Sequence, residues 1–376
     1  MPNHLVRRRA DPAAAAVLVA LACTCFAPEP SLAAAKVPPG LPSAPRAPGT
    51  IRPNRPMRIL IPAPESVDFA ADSVVVPFEP SNGWIVLPVE VNGTGPYSFV
   101  LDTGTPGHAR IAPDLASELA LPAIGDARAA DATIRGSRPV DLVRIDSLRV
   151  GDAVFRGLMA AAFLGPKPEL QAPSDSADDG STSDRTAPSA PEPVPGLPPS
   201  DRRGILGFAL FRGVLLTVDY ADARLVISRG ALSPRDDHVT PLTGTLDIAR
   251  VAVEVDDVDL DVRLDTGDPG TFSISTGMLR TLKTVGKPWL VGRTRTINNE
   301  FDVQGVRLSG PLRLAGHRFD VTEASFVDVF PGASFGAGVL KSFVVTFDEA
   351  NRLVRLTRVG EGRLEALAKT PRAAAR

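Results

Sequence analysis

The stretch Leu101-Asp102-Thr103-Gly104-Thr105-Pro106-Gly107 comes back later in the chain as Leu264-Asp265-Thr266-Gly267-Asp268-Pro269-Gly270. The register continues without a gap, Ile111 against Ile274, Leu115 against Met278 and Leu119 against Leu282. A repeat of this kind marks one structural unit used twice. Each copy sets one carboxylate on a tight turn after a short run read as apolar, Phe99-Val100-Leu101 in the first and Val262-Arg263-Leu264 in the second. Asp and Gly are also at home at ordinary strand-to-turn junctions, for conformational reasons alone. A second repeated block downstream weighs against that plainer reading.

That block runs Gly207-Phe208-Ala209-Leu210-Phe211-Arg212 and on to Thr217-Val218-Asp219; its partner runs Gly336-Ala337-Gly338-Val339-Leu340-Lys341 and on to Thr346-Phe347-Asp348. The two copies are offset by 163 residues at the Asp-Thr-Gly and by 129 at this block, so the first copy carries 34 extra residues. The excess falls at residues 167–200, dense in Pro, Ser, Asp, Thr and Ala and without an aromatic residue. Such a composition predicts a disordered insert.

With these residues in place the chain resembles the aspartic peptidases of the retropepsin and pepsin type, over residues 73–358. The likeness rests on the two Asp-Thr-Gly turns and on the later Gly and Thr-x-Asp segments. It implies an all-β fold of two pseudo-symmetric retropepsin-like barrel lobes joined in one chain, with a few short helices. It implies Asp102 and Asp265 as the catalytic pair, supported by Thr103, Gly104, Thr105, Thr266, Gly267 and Asp268. Gly104 and Gly267 would let the backbone pass close to the pair, and Thr103 and Thr266 would hydrogen-bond across the lobe interface. It also implies an extended polypeptide as substrate, a monomer with intramolecular lobe pairing, and neither cofactor nor metal.

The remaining sequence reads as a β protein. Trp84-Ile85-Val86-Leu87-Pro88-Val89-Glu90-Val91 and Tyr97-Ser98-Phe99-Val100-Leu101 flank Asn92-Gly93, a strong turn signal. Residues 249–255 alternate as a half-buried strand should. Pro113 with Leu115 and Leu119 predicts a short helix, and Ser275 or Thr276 a cap for another. The expected division is a signal peptide at 1–33, a Pro-rich disordered linker at 34–72, an N-terminal lobe at 73–230, a C-terminal lobe at 238–358 and a basic tail at 359–376.

Of 376 residues, 44% are hydrophobic and 22% charged, enough for two modest cores. The net charge of −2 leaves no electrostatic footprint for nucleic acid. Arg7-Arg8-Arg9 followed by the short apolar stretch 13–22 and small residues near Ala33 predicts export to the periplasm or beyond. The stretch is too short for an integral membrane span. Lipidation at Cys23, behind Ala20-Leu21-Ala22, is the alternative.

Two carboxylates about 3 Å apart repel by roughly 5 kcal/mol at an effective dielectric near 20. They therefore share one proton over a wide pH range and titrate as a pair. Asp268 departs from the family pattern, which has Ala, Ser or Thr there; an ionised Asp268 facing the pair would raise its pKa further, and one facing water would change little. No flap tyrosine is expected, since Tyr97 and Tyr220 are the only tyrosines and neither falls in the flap region. Gly332-Ala333-Ser334-Phe335-Gly336 has the spacing of a serine-hydrolase elbow, but that design needs a later His and the last is His317. It aligns instead with Gly204-Ile205-Leu206-Gly207 and reads as a repeated strand. His108, His238 and His317 read as surface or turn residues rather than ligands. Two functions follow: an aspartic endopeptidase, or an inactive peptide-binding protein of the same fold in which Asp268 marks the lost activity.

Overall fold

The computed structural model describes residues 61–81, 83–130, 137–164, 201–244, 248–295, 300–319, 322–327 and 332–359, with a three-residue strand at Val19–Leu21. The expected insert at 167–200, the basic tail beyond Val359 and most of the expected signal and linker lie outside these residues. Strand Ser66–Asp68 pairs with Val154–Arg156, so lobe one takes up chain ahead of the expected boundary at residue 73.

Alternation builds the strands. Ser73–Pro77 buries every second residue, and Trp84–Val91 and Arg250–Val255 bury theirs on one face. The hairpin between Trp84–Val91 and Thr94–Asp102 turns at Asn92 and Gly93, both with positive φ, at 50° and 78°. That pair of signs matches the tight turn whose twist fits its flanking strands. Its counterpart between Arg250–Val255 and Val258–Leu264 turns on Asp256 and Asp257, again both positive.

The fold is all-β with few and short helices: Pro113–Glu118, Thr276–Leu279 and Ala337–Leu340, plus a 3-10 turn at Phe208–Phe211. Ser275 caps the second helix, its side chain accepting from the Met278 N–H. In lobe one the strand ending at Asp102 pairs in parallel with Gly204–Gly207, which pairs antiparallel with Ala109–Ile111, which pairs in parallel with Ala153–Ala162. In lobe two the strand ending at Leu264 meets Ala333–Phe335, then Phe272–Ser275, then Thr322–Val327, with the same sequence of senses. Each series continues into a long hairpin, Ala123–Ala130 with Ser137–Val150 in one lobe and Thr284–Arg295 with Glu300–Leu308 in the other.

A third sheet of six strands joins the lobes, half of it from each. At its centre Leu215–Asp219 runs antiparallel to Phe343–Asp348, with Thr217 opposite Thr346 and their hydroxyls 2.9 Å apart. One hydrophobic core runs through both lobes and this sheet, from Phe99 and Phe155 through Phe208 and Phe347 to Phe272 and Phe335. Arg212 of lobe one reaches across to Glu349, which is 3% exposed, and to the Ile61 carbonyl.

Candidate active site

Both Asp-Thr-Gly turns come to one place. Thr103 N–H donates to Thr266 Oγ1 (3.1 Å), and Thr266 N–H donates to Thr103 Oγ1 (3.1 Å). Thr103 Oγ1 donates to the Leu264 carbonyl (2.6 Å) and Thr266 Oγ1 to that of Leu101 (2.9 Å). Both threonines are essentially buried, at 0% and 1% exposure, so these four bonds meet no competing water. The geometry follows from the sequence: Thr is small, β-branched and carries both a donor and an acceptor.

The turns leave room for nothing larger than glycine. A Cβ on Gly104 would stand 2.5 Å from Asp265 Cγ, and one on Gly267 would stand 2.3 Å from Asp102 Cγ. Real Cβ atoms do not approach so closely, so each glycine lets its backbone lie against the opposite carboxylate. The two carboxyl groups lie close enough for the charge of Asp102 to raise the pKa of Asp265. Within each turn the inner oxygen is held by a backbone N–H: Gly104 to Asp102 Oδ1 at 2.8 Å, Gly267 to Asp265 Oδ1 at 3.0 Å.

The outer oxygens are held differently. Asp102 Oδ2 accepts the Thr105 hydroxyl at 2.6 Å. In lobe two that hydroxyl is replaced by Asp268, and Asp265 Oδ2 instead lies 3.0 Å from Arg263 Nε. Arg263 was read as part of an apolar run; the structure corrects this. It stands two residues before Asp265, on the same face, and brings a positive charge to the pair.

Asp268 bends back on its own turn and accepts the Gly270 N–H at 2.8 Å. Burial raises its pKa, the Gly270 bond and Arg263 oppose this, and Asp102 adds to it. The side chain is half-buried, engaged with its own turn, and close enough to Asp102 to feel its charge. Asp265 is pushed up to about 8: burial leads, Arg263 pulls down, and Asp102 and Asp268 push up. The hydroxyl of Tyr220 is buried without a hydrogen-bond partner, and burial and then Asp265 and Asp268 push its phenol up. The charges of Asp265 and Asp268 thus reach Tyr220, whose ring packs on Phe78. The lead to Arg263 was present in the repeat, where it stands against Val100; Tyr220 left no such trace.

The cleft faces on either side of the pair are set by strand register. In lobe one the row beside Asp102 is Val100, Ile205, Arg110, Ala161 and Leu142. In lobe two the row beside Asp265 is Arg263, Ser334, Ser273, Ser325, Gly305 and Trp289. The indole of Trp289 covers Gly305, where a Cβ would stand 2.5 Å from Trp289 Cε2. Ser273 and Ser325 hydroxyls are 3.1 Å apart, and Ser334 Oγ is buried with no hydrogen-bond partner among the described residues. Ser334 sits mid-strand in Ala333–Phe335, as its alignment with Ile205 predicts, and not on an elbow.

His108 is buried, not at the surface. Its Nδ1 accepts the Met159 N–H at 3.1 Å, which leaves Nε2 to donate to the Pro62 carbonyl at 2.7 Å. It thereby ties the chain ahead of lobe one to that lobe's sheet. Among the described residues no group of three or more His, Cys, Asp or Glu is placed to hold a metal ion, and no helix is long and apolar enough to cross a membrane.

Residues 87–179 match the model of a family described as aspartyl protease. That stretch contains Asp102 and ends before Asp265, so it spans the first copy of the repeated turn alone. A retropepsin-like aspartic protease from Rickettsia conorii is similar over 44% of this chain and 94% of its own, with 15% identity and a TM-score of 0.26. No curated protein matches the chain. The likeness to aspartic peptidases is borne out over residues 87–179, around the first of the two turns.

Proposed function

We propose that this protein is an aspartic endopeptidase in which Asp102 and Asp265 share one proton and activate water for peptide hydrolysis. One observation carries the reading: the two Asp-Thr-Gly turns are locked by the Thr103–Thr266 bonds so that each glycine lies against the opposite carboxylate. Like charges this close hold a proton between them, as the dyads of aspartic proteases do.

The chemistry follows from that proton. The ionised carboxylate takes a proton from a water lying between the pair, and the water oxygen bonds to the peptide carbonyl carbon. The protonated carboxyl gives its proton to the carbonyl oxygen, so the intermediate carries no full negative charge. Collapse breaks the C–N bond: the proton taken from water passes to the leaving nitrogen, and a hydroxyl of the intermediate returns its proton to the other carboxylate as the new carbonyl forms. Atoms and charge balance, and the pair returns to sharing one proton.

Arg263 and Asp268 set the working range. Asp268 adds negative charge to the pair and Arg263 adds positive charge, so the two departures of lobe two oppose each other. The second reading, a peptide-binding protein without turnover, draws on the same contact: an Asp265 held permanently ionised by Arg263 could not share a proton. The raised pKa of Asp265 favours the peptidase. From the expected signal peptide at residues 1–33 we propose further that it works outside the cytoplasm.

The test is cleavage of an unstructured peptide mixture by wild type, Asp102→Asn and Asp265→Asn from acid to neutral pH. Loss of cutting in both variants supports the shared pair. Folded wild type that cuts nothing while retaining peptide affinity establishes the second reading.

A further inference from the structure

Resting on the peptidase reading, we propose that a pocket of lobe one beside Asp102, formed by Arg110 and Arg202, takes an acidic side chain of the substrate. Arg110 lies in the short strand Ala109–Ile111, opposite Ile205 on one side and Ala161 on the other. Strand alternation puts its side chain on the face that carries Asp102. Its Nε is buried without a hydrogen-bond partner, and it forms no ion pair among the described residues. Arg202 lies close enough that the charges of Arg110 and Asp102 act on it. Its Nη2 donates to the Leu164 carbonyl at 3.0 Å, and no carboxylate among the described residues pairs with it.

Other arginines of the same lobe are served differently. Arg144 meets Glu65 and Asp146, Arg149 meets Glu90, Arg156 meets Asp68, and Arg203 meets Glu118. These four have carboxylate partners, and Arg110 and Arg202 have none among the described residues. Burial holds the Arg202 guanidinium below its usual range, Asp102 opposing and Arg110 adding to the effect. Two half-buried guanidiniums with Asp102 as their nearest opposing charge gain from the arrival of an anion. A guanidinium fork suits a carboxylate, and the apolar floor of Ile205 and Ala161, 5% and 3% exposed, suits the short aliphatic stem of Asp or Glu. Arg263 does not compete for this role, because its charge is already engaged with Asp265.

The experiment uses peptides that differ at one position at a time, each position carrying Glu, Gln or Lys. At one position near the cut, wild type should prefer Glu to Gln by about ten- to a hundredfold in kcat/KM, the range for a hydrogen bond to a charged group. Arg110→Gln and Arg202→Gln should each bring the ratio toward one, and Arg110→Glu should turn the preference to Lys, a reversal that mere damage would not produce. Circular dichroism establishes that each variant is folded, and either neutral variant alone suffices for the test. Cleavage with no acidic preference, or with one that survives both neutral variants, overturns the pocket and leaves the peptidase standing. If wild type cuts none of these peptides, the peptidase reading fails. Binding of the Glu and Gln peptides to wild type and Arg110→Gln, followed by fluorescence anisotropy, then decides the pocket. Tighter, Arg110-dependent binding of the Glu peptide keeps it, and equal binding ends it.

Discussion

The turn at Asp102 and the turn at Asp265 share a backbone and differ in how they treat their outer oxygen. In lobe one a neutral hydroxyl, Thr105, holds it; in lobe two a cation, Arg263, lies against it while a carboxylate, Asp268, occupies the place of the hydroxyl. The difference extends along the two rows: Val100, Ile205, Arg110, Ala161 and Leu142 in lobe one stand where lobe two has Arg263, Ser334, Ser273, Ser325 and Gly305. Beneath the lobe-one hairpin the apolar side chains gather into a separate cluster of Ala127, Val140, Leu142, Ala161 and Phe163. Two copies of one unit can keep the same turn geometry while their charges and walls diverge, provided that departures inside a copy offset each other.

The likeness of the two turns is broken most severely at the carboxylates. Asp102→Asn and Asp265→Asn should each lower kcat by about 100-fold to 10,000-fold or more, the span general acid–base groups contribute, with folding retained. Unequal losses, with one variant near wild type in steady-state kinetics, would mean that one carboxylate works alone.

Next in size is the lock between the turns. Thr266→Val leaves the Thr103 N–H and the Leu101 carbonyl buried without partners, and Thr103→Val does the same to Thr266 and Leu264. Each should cost about 2–4 kcal/mol in urea unfolding, and the two costs should be equal within error if the lock is symmetric. A comparable loss is expected for Arg212→Met, which strands Glu349 in a buried place, by about 3–5 kcal/mol.

Lobe two can then be made to resemble lobe one. Arg263→Val removes the cation that lowers Asp265, so the alkaline limb of the kcat/KM profile should move up by about one unit. Asp268→Thr removes a like charge and should move it down. The double variant, which restores the pattern of Val100 and Thr105, should return the limb toward wild type. Additive shifts in one direction would contradict the opposed charges.

Smallest per pH unit is the effect on stability. Folded Asp265 holds its proton to about 8, against 3.8 for the free group, so the native state keeps a proton that the unfolded chain has lost. Stability should therefore fall as pH rises through that window, by at most about 1.4 kcal/mol per unit, and Asp265→Asn should flatten the slope. A wild-type slope of the opposite sign over that range, lost in the variant, would refute the assignment.

Much of this was legible along the chain. The repeated Asp-Thr-Gly carries the two turns, Asn92-Gly93 carries its hairpin, and Thr103 and Thr266 take the cross-lobe role implied by resemblance. What escaped is what depends on neighbours across strands. Arg110 reaches the cleft face because it is opposite Ile205. His108 is buried because Pro62 and Met159 close over it. Arg263 is the instructive case, since its place against Val100 was visible. A single charged residue in an otherwise apolar run before a catalytic turn is a signal about the site and not about the strand.

The central sheet has a consequence for the halves taken singly. Leu215–Asp219 and Phe343–Asp348 are interior strands only because they have each other. Were the chain divided between residues 230 and 238, each fragment would carry an open edge whose backbone donors and acceptors had lost their partners. Such an edge seeks another strand. The fragments would reassemble as a non-covalent pair or stick to copies of themselves, so a dividing cut in the connecting segment would turn an intramolecular joint into a concentration-dependent one.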